Sequence, residues 1–258
     1  MLKVKNLTKK FAKFTAVSNE SFEVVAGEVV GFVGPNGYGK STTIDMILGM
    51  TSPSSGEIYI DGEKLRRDNT AQLHQHVAYL STDMNLDRNL TGYQALKYFA
   101  NLRGKWHPEV DNKVKALASK LDANLNKKIK HLSRGNRQKI GLIAAVMNTP
   151  KLLVMDEPTS GFDPIVQNAF IDIIREHQKN GGAVFISSHN LSEVSEICDR
   201  VIFIIGGQIV ANELMSTLQK MAPKREVIDL DAVFEALVQK NSHHIGNDKG
   251  DEYAQKYI

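Results

Sequence analysis

The sequence predicts an α/β fold: a parallel-sheet core, an N-terminal antiparallel β subdomain and an inserted α-helical subdomain. Three observations carry this. Short β-rich runs fill the chain as far as Gly62, apolar residues recur at helical spacing from about residue 91 to 148, and strands alternate with helices after Pro150. Alternation of strand, helix and strand implies a parallel sheet, whose strands read as continuous apolar runs because helices cover both faces.

In chain order, "LKVKNLT", "SFEVV", "EVVGFVG" and "EIYIDG" are strands, with Gly27 and Asp61-Gly62 as turns. One helix, "TTIDMILGM", interrupts them after Lys40. Thr91 and Gln94 form a capping box, and "YQALKYFANL" carries apolar residues on one helical face, so the helical subdomain spans about 84–149. Then come the strand "KLLVM", a helix from about Pro164, the strand "AVFIS", a helix from about Asn190, and the strand "RVIFII". "VIFIIGGQIVAN" reads as a hairpin turning at Gly206-Gly207. Residues 1–222 are expected to form the main domain, and 223–258 a short helix and a loose tail. In "LDAVFEALVQ" the residues Val233, Phe234, Leu237 and Val238 share a stripe that docks on the core, whereas the polar end has too little apolar surface to order itself. His243 and His244, with no further ligands beside them, read as tail and not as a metal site.

A chain of 258 residues with 42% hydrophobic content can bury a substantial core. Its 32 basic and 29 acidic residues leave a net charge of +3, too near balance to favour nucleic acid as a partner. The stretch "NKKIKHLSRGNRQK" is nonetheless basic without an acid: Lys127, Lys128, Lys130, Arg134, Arg137 and Lys139 form either a solvated helical face or a surface for an anion or a membrane. The single Cys198 excludes an intrachain disulfide and suits a reducing cytoplasm; within "SEICDR" it reads as a buried structural thiol. "MLKVKNLTKKF" has no apolar leader, and no run approaches the roughly 18 apolar residues of a membrane span, so the chain is not expected to enter a membrane by itself.

Gly34 to Ser41 matches the phosphate-loop pattern G-x-x-x-x-G-K-[ST], between an apolar strand and a helical run, the context its mechanism requires. Glycines let successive N–H groups converge on phosphate oxygens, and the following helix adds its positive end. Gly34, Pro35, Asn36, Gly37, Tyr38, Gly39, Lys40, Ser41 and Thr42 are therefore candidate nucleotide contacts. Lys40 is placed to reach the β- and γ-phosphates and Ser41 to bind Mg2+. "KLLVMDEP" is an apolar strand ending in Asp156 and Glu157, and Pro158, which cannot donate to a ladder, marks its end. By themselves the two acids read equally as a solvated strand terminus.

With "LSRGNRQ" at 132–138, "LLVMDEPTSGFDP" and "VFISSHNLSEV" following in that order, the chain resembles the ATP-binding-cassette (ABC) ATPases over roughly residues 2–220. The resemblance implies a P-loop NTPase (RecA-like) core that binds ATP and Mg2+, and a head-to-tail dimer, with itself or a related subunit. Each ATP is then held by the phosphate loop of one subunit and the signature segment of the other. It assigns Ser133, Gly135 and Asn136 to that signature contact, Ser133 capping a helix that faces the γ-phosphate. Asp156 falls to the metal, Glu157 to the general base, His189 to the γ-phosphate and the base, and Asp163 to coupling across the dimer, although Asp163 also suits a helix cap. An aromatic near the N-terminus stacks on adenine in this family; Phe11 fits, with Phe14 as the alternative, and either also suits a core.

Two positions depart from the pattern. Thr82 stands where a metal-touching glutamine is usual, with a reach about two bonds shorter, and Asp83 is an alternative donor. Arg134 replaces the first of two usual glycines. Tyr38 stands where the family is usually small, and reads either as a tolerated exposed residue or as one that packs across the closed dimer. The implied function is an ATPase on the cytoplasmic face of the membrane, driving a separate multi-span permease, docked through Thr82 to about Tyr98, for export of a drug, peptide or lipid-like substrate. The alternatives are a non-transport cassette protein of translation or repair, which usually has two cassettes or a long insertion, and a GTPase, for which "NKKI" lacks the aspartate of N-K-x-D.

Overall fold

The computed structural model describes residues 1–82, 84, 86–102, 106–221 and 230–241; Asp83, His243 and His244 lie outside them. The elements begin with β1 (Leu2–Phe11), β2 (Phe14–Val24), β3 (Val29–Val33), α1 (Lys40–Ile47), β4 (Ser55–Ile60), β5 (Glu63–Lys64), α2 (Thr70–Leu73) and β6 (Val77–Leu80). The helices α3 (Gly92–Leu102), α4 (Pro108–Lys120) and α5 (Arg134–Val146) follow. Next are β7 (Leu152–Asp156), α6 (Pro164–Lys179), β8 (Ala183–Ser188), α7 (Leu191–Ile197), β9 (Arg200–Ile205), β10 (Gln208–Leu214), α8 (Met215–Met221) and α9 (Leu230–Asn241). The chain divides into two compact units: residues 25–28 and 71–186 form one, and 2–24, 29–70 and the described residues from 187 onward form the other.

The unit holding the N-terminus contains an antiparallel sheet in the order β2-β1-β4-β5 and the strand sequence β10-β9-β3. Strands β3 and β9 run parallel, Val30 opposite Arg200 through Val33 opposite Phe203, and β3 is buried along its whole length, as a strand covered on both faces must be. The turns at Asp61-Gly62 (φ 53 and 85) and Gly206-Gly207 (φ 57 and 77) are two-residue hairpin turns with both φ values positive. Helix α7 lies against β3 over Gly31, where an added Cβ would sit 2.9 Å from Val194 Cγ1 and 3.0 Å from the sulfur of Cys198, a buried free thiol. Phe234 on α9 stacks on Phe203 at 6.1 Å, which docks the C-terminal apolar stripe.

In the other unit β6 and β7 are parallel, Val77 opposite Leu152 through Leu80 opposite Met155, and β8 neighbours β7. The capping box closes α3 reciprocally: the Gln94 amide donates to Thr91 Oγ1 at 3.2 Å and the Thr91 amide to Gln94 Oε1 at 2.9 Å. Helix α4 opens on Pro108 with Glu109 and Asp111 in its first turn and Lys120 in its last, matching both ends of the helix dipole. The basic stretch splits: Lys127, Lys128, Lys130 and Arg134 are exposed, and Arg137 is half-buried, its guanidinium donating to the Leu132 carbonyl at 2.6 Å.

Strand β2 carries a feature its composition hides. Between Val4 and Leu7 strand β1 takes three steps for two on β2, and between Leu7 and Lys9 it takes two for three, so one residue is extra first on β1 and then on β2; β2 gains another between Lys9 and Lys10. The first two irregularities have left-handed backbones at Asn6 (φ 48) and Asn19 (φ 55), and Asn6 Nδ2 donates to Asn19 Oδ1 at 3.0 Å. Beside these bulges Glu20 lies two residues from Phe22 and four from Val24, so it shares their inward face, at zero exposure. Its Oε2 accepts from the Thr43 hydroxyl at 3.0 Å, while Oε1 is buried without a hydrogen-bond partner. Burial pushes the carboxyl up from 4.5 to about 8, and the Thr43 hydrogen bond opposes this only in part. Between those two values the folded chain holds a proton that the unfolded chain releases, so stability is lost as pH rises through the window. Replacing Glu20 by Gln removes the ionisation. The stability advantage of Glu20→Gln over the parent, from urea unfolding at a series of pH values, should grow from about pH 4.5 to about pH 8 and then level off. Parallel curves across that range would show that the carboxyl is not held neutral.

Candidate functional site

The phosphate-loop segment runs from the end of β3 into α1. Gly34 passes the backbone of β9 so closely that a Cβ would lie 2.4 Å from the Ile204 carbonyl oxygen; at Gly39, with φ 95, a Cβ would lie 2.5 Å from the Ala16 carbonyl oxygen. Neither position accepts a side chain. Gly39 caps α1 with no side-chain hydrogen bond, and the first amide bonded within the helix is that of Thr43, to the Gly39 carbonyl at 2.8 Å. The amides before it in the first turn are the ones an anion can take. The Lys40 ammonium is buried, 5% exposed, and donates to the carbonyls of Gly34 and, at 3.2 Å, Pro35. A phosphate would exchange these contacts for its own oxygens. Asn36, Gly37 and Ser41 are exposed and Thr42 is half-buried.

Tyr38 differs from both positions read from the sequence. It is 7% exposed in the single chain, so it is neither a tolerated exposed residue nor a side chain extended toward a second subunit. It lies between Gly37 and Gly39, both left-handed (φ 83 and 95), and is buried within the single chain. Burial raises its hydroxyl above the ordinary tyrosine range. Phe11 and Phe14 face each other at the β1–β2 turn and are 49% and 51% exposed, which excludes the core reading for both. Lys9 Nζ lies 4.9 Å from the Phe11 ring centre. His189 follows β8, exposed, beside Asn190, whose side chain caps α7. The loop, the two phenylalanines and His189 all belong to the N-terminal unit.

The remaining candidates belong to the other unit. Asp156 is the last residue of β7, and Glu157 after it adopts φ 50, a left-handed conformation that costs a non-glycine residue about 1–2 kcal/mol. The carbonyls on both sides of Glu157 are held by side chains. Thr82 Oγ1 donates to the Asp156 carbonyl at 2.9 Å, and Gln138 Nε2 donates to the Pro158 carbonyl at 3.2 Å and to the Ser81 carbonyl at 3.3 Å. Thr82 thus spends its proton on backbone, keeping only lone pairs for any other ligand. Ser133 caps α5, accepting from the Asn136 amide at 3.2 Å; Asn136 Oδ1 in turn accepts from the Asn124 amide at 2.9 Å. A Cβ on Gly135 would meet the Gly161 carbonyl oxygen at 2.8 Å, which draws the signature helix against the loop before Asp163. Asp163 caps α6 through the Val166 amide at 3.0 Å, ahead of Pro164.

Gln138 and Glu20 were not singled out from the sequence, yet both are buried polar side chains in hydrogen bonds beside the candidate residues. Each had a signal: Gln138 shares a helical stripe with Leu142 and Ala145, and Glu20 alternates in phase with Phe22 and Val24. Among the described residues no three His, Cys, Asp or Glu side chains gather as a metal cage. The hydroxyls of Ser41 and Thr82 and the carboxylate of Asp156 are donor types that Mg2+ accepts when phosphates complete its shell.

Residues 17–160 match the family described as ABC transporter. YhcH, an uncharacterized ABC transporter ATP-binding protein of Bacillus subtilis (strain 168), is 36% identical over 216 residues, 81% of this chain and 68% of that protein. The linearmycin resistance ATP-binding protein LnrL of the same organism is 34% identical over 213 residues, 82% of this chain and 68% of LnrL. A solved ATP-binding subunit of an ABC transporter has a TM-score of 0.84 at 28% identity, covering 92% of this chain and 99% of that one. The glycine-pressed loop, the clamped acid after β7 and the capped signature helix therefore lie in a chain that belongs to the ABC transporter family, as an ATP-binding, ATP-hydrolysing subunit.

Proposed function

We propose that this subunit powers export of an antibiotic-like, peptide or lipid-like compound through a separate multi-span permease, at the cytoplasmic face of the membrane. The observation that carries the reading is the relatedness to a linearmycin resistance ATP-binding protein. No helix among the described residues is long and apolar enough to cross a membrane, so the transport path needs another chain or segment. The alternative of a cassette protein of translation or repair has no support among the relatives.

In this reading Lys40 and the backbone amides between Gly34 and Thr42, Pro35 excepted because it has no N–H, hold the ATP phosphates, and Phe11 stacks on adenine. Ser41 and Asp156 hold Mg2+, which when bound neutralises the phosphate charge. Glu157 takes the proton of the attacking water, and His189 orients it. The clamps from Thr82 and Gln138 fix the backbone that aims Glu157, and Thr82 reaches the metal only through a lone pair or an intervening water. Ser133, Gly135, Asn136 and Asp163 serve the second ATP of a head-to-tail dimer; Ile165, 82% exposed beside Asp163, suits a surface covered by a second copy.

Docking of the permease falls to the Thr82–Tyr98 segment. A cleft of about 480 Å3 there is lined by Met84, Leu86, Arg88, Ile129, Arg134 and Arg137 among others. A lining that mixes apolar side chains with arginines suits an amphipathic helix carrying an acidic residue.

Glu157→Gln should lower ATP turnover about 100-fold or more while leaving ATP affinity unchanged; turnover at the parent rate would remove Glu157 from its role. Thr82→Val should lower turnover about tenfold at unchanged nucleotide affinity by freeing the Asp156 carbonyl, and Thr82→Gln should raise turnover and alter its Mg2+ dependence. Parental turnover and Mg2+ dependence in both variants would contradict the clamp and the metal reading together. For the transport function itself, purification of the tagged chain from native membranes should bring down a multi-span protein that stimulates its ATPase. Recovery with ribosomes or DNA instead would overturn the export reading.

A further inference from the structure

Behind the first turn of α1 stands a buried acid that the chemistry above does not use. Glu20 has zero exposure, and its carboxyl meets the hydroxyl of Thr43, also at zero exposure, whose amide closes the first bond of α1. On β2 it faces inward in alternation with Phe22 and Val24, next to bulges whose Asn6 and Asn19 side chains hydrogen-bond to each other, and its Oε1 finds no hydrogen-bond donor there. The neighbouring charges are engaged or turned elsewhere. On β1, Lys5 lies over the Tyr59 ring and Lys9 over the Phe11 ring; on β2, Glu23 pairs with Lys3 at 3.3 Å. On α1, Lys40 serves the Gly34 and Pro35 carbonyls and Asp45 is half-buried further along, while Glu213 on β10 is exposed. Burial is the dominant influence on Glu20, with Thr43 the only side chain that moderates it.

Thr43 follows Lys40 by three residues, about 4.5 Å along the helix. A carboxylate at Glu20 would therefore place negative charge, unscreened by water, behind the turn whose amides face the phosphates. We propose that nucleotide binding at this loop is linked to a proton on Glu20: the loop takes polyphosphate with Glu20 neutral, and ionisation of Glu20 weakens the hold. The proton comes from solvent. This inference rests on the reading of Gly34–Thr42 as the nucleotide cradle.

Calorimetric titration of the full chain with Mg-ADP, between about pH 7 and about pH 9.5, tests it. The parent Kd should rise several-fold over that range, by no more than about tenfold per pH unit for one linked proton. At about pH 8, binding heats in two buffers of different ionisation enthalpy should show net proton uptake. Glu20→Gln should give a flat Kd and no uptake; should that variant fold poorly, Glu20→Leu serves, with the same expectation. A flat parent Kd without uptake overturns the proposal and leaves the cradle intact, as does a variant that keeps the parental pH dependence. Absence of Mg-ADP binding at every pH overturns both.

Discussion

Strand β2 passes so close behind the phosphate loop that the carbonyl oxygen of one residue, Ala16, sets the geometry on two sides. An added Cβ on Gly39 would lie 2.5 Å from that oxygen and one on Gly207 2.4 Å from it. The Gly207 carbonyl also accepts from the Ser18 amide at 2.8 Å. The loop, the β9–β10 turn and β2 are thus held at backbone contact distance, which only glycine permits. A loop so constrained keeps its amides in one arrangement, and a phosphate need not spend binding energy ordering them. The same strand brings Glu20 to Thr43, so whatever happens to that carboxyl is felt one turn from Lys40.

The other unit solves a different problem with similar means. Glu157 takes a left-handed backbone at the cost of strain. The strain is held by hydrogen bonds to the carbonyls on either side, from Thr82 on the segment after β6 and from Gln138 on α5. Because Gln138 also holds the Ser81 carbonyl, one amide ties the segment after β6, the signature helix and the end of β7. Any movement of the segment beginning at Thr82 is therefore passed to the peptides around Glu157. Under the proposed function, that connection would link a docked permease to Glu157 through two hydrogen bonds.

Much of this was legible in the sequence. The capping box at Thr91 and Gln94, the turn at Gly206-Gly207, the buried Cys198 and the docking stripe of α9 each follow from local chemistry or from periodicity. Ser133 and Asp163 were readable as helix caps because a short polar side chain before a helix has few other uses. Glu20 was not read, although it alternates in phase with Phe22 and Val24, because a carboxylate at an inward position is ordinarily taken as a break in the pattern and only the structure shows it buried. Tyr38 was placed wrongly because a side chain between two glycines can turn either way until their backbone angles are known.

The sequence by itself determined the order of the main elements and the family, and it proposed the phosphate-loop and signature residues, since these depend on residue type and spacing along the chain. Only the tertiary structure decided what each group touches. It gave the Thr82 hydroxyl to a backbone carbonyl, clamped Glu157 between two side chains, and buried a carboxyl behind the loop. Those outcomes rest on distances between residues up to 74 apart in the chain, as for Thr82 and Asp156, and no local pattern encodes them.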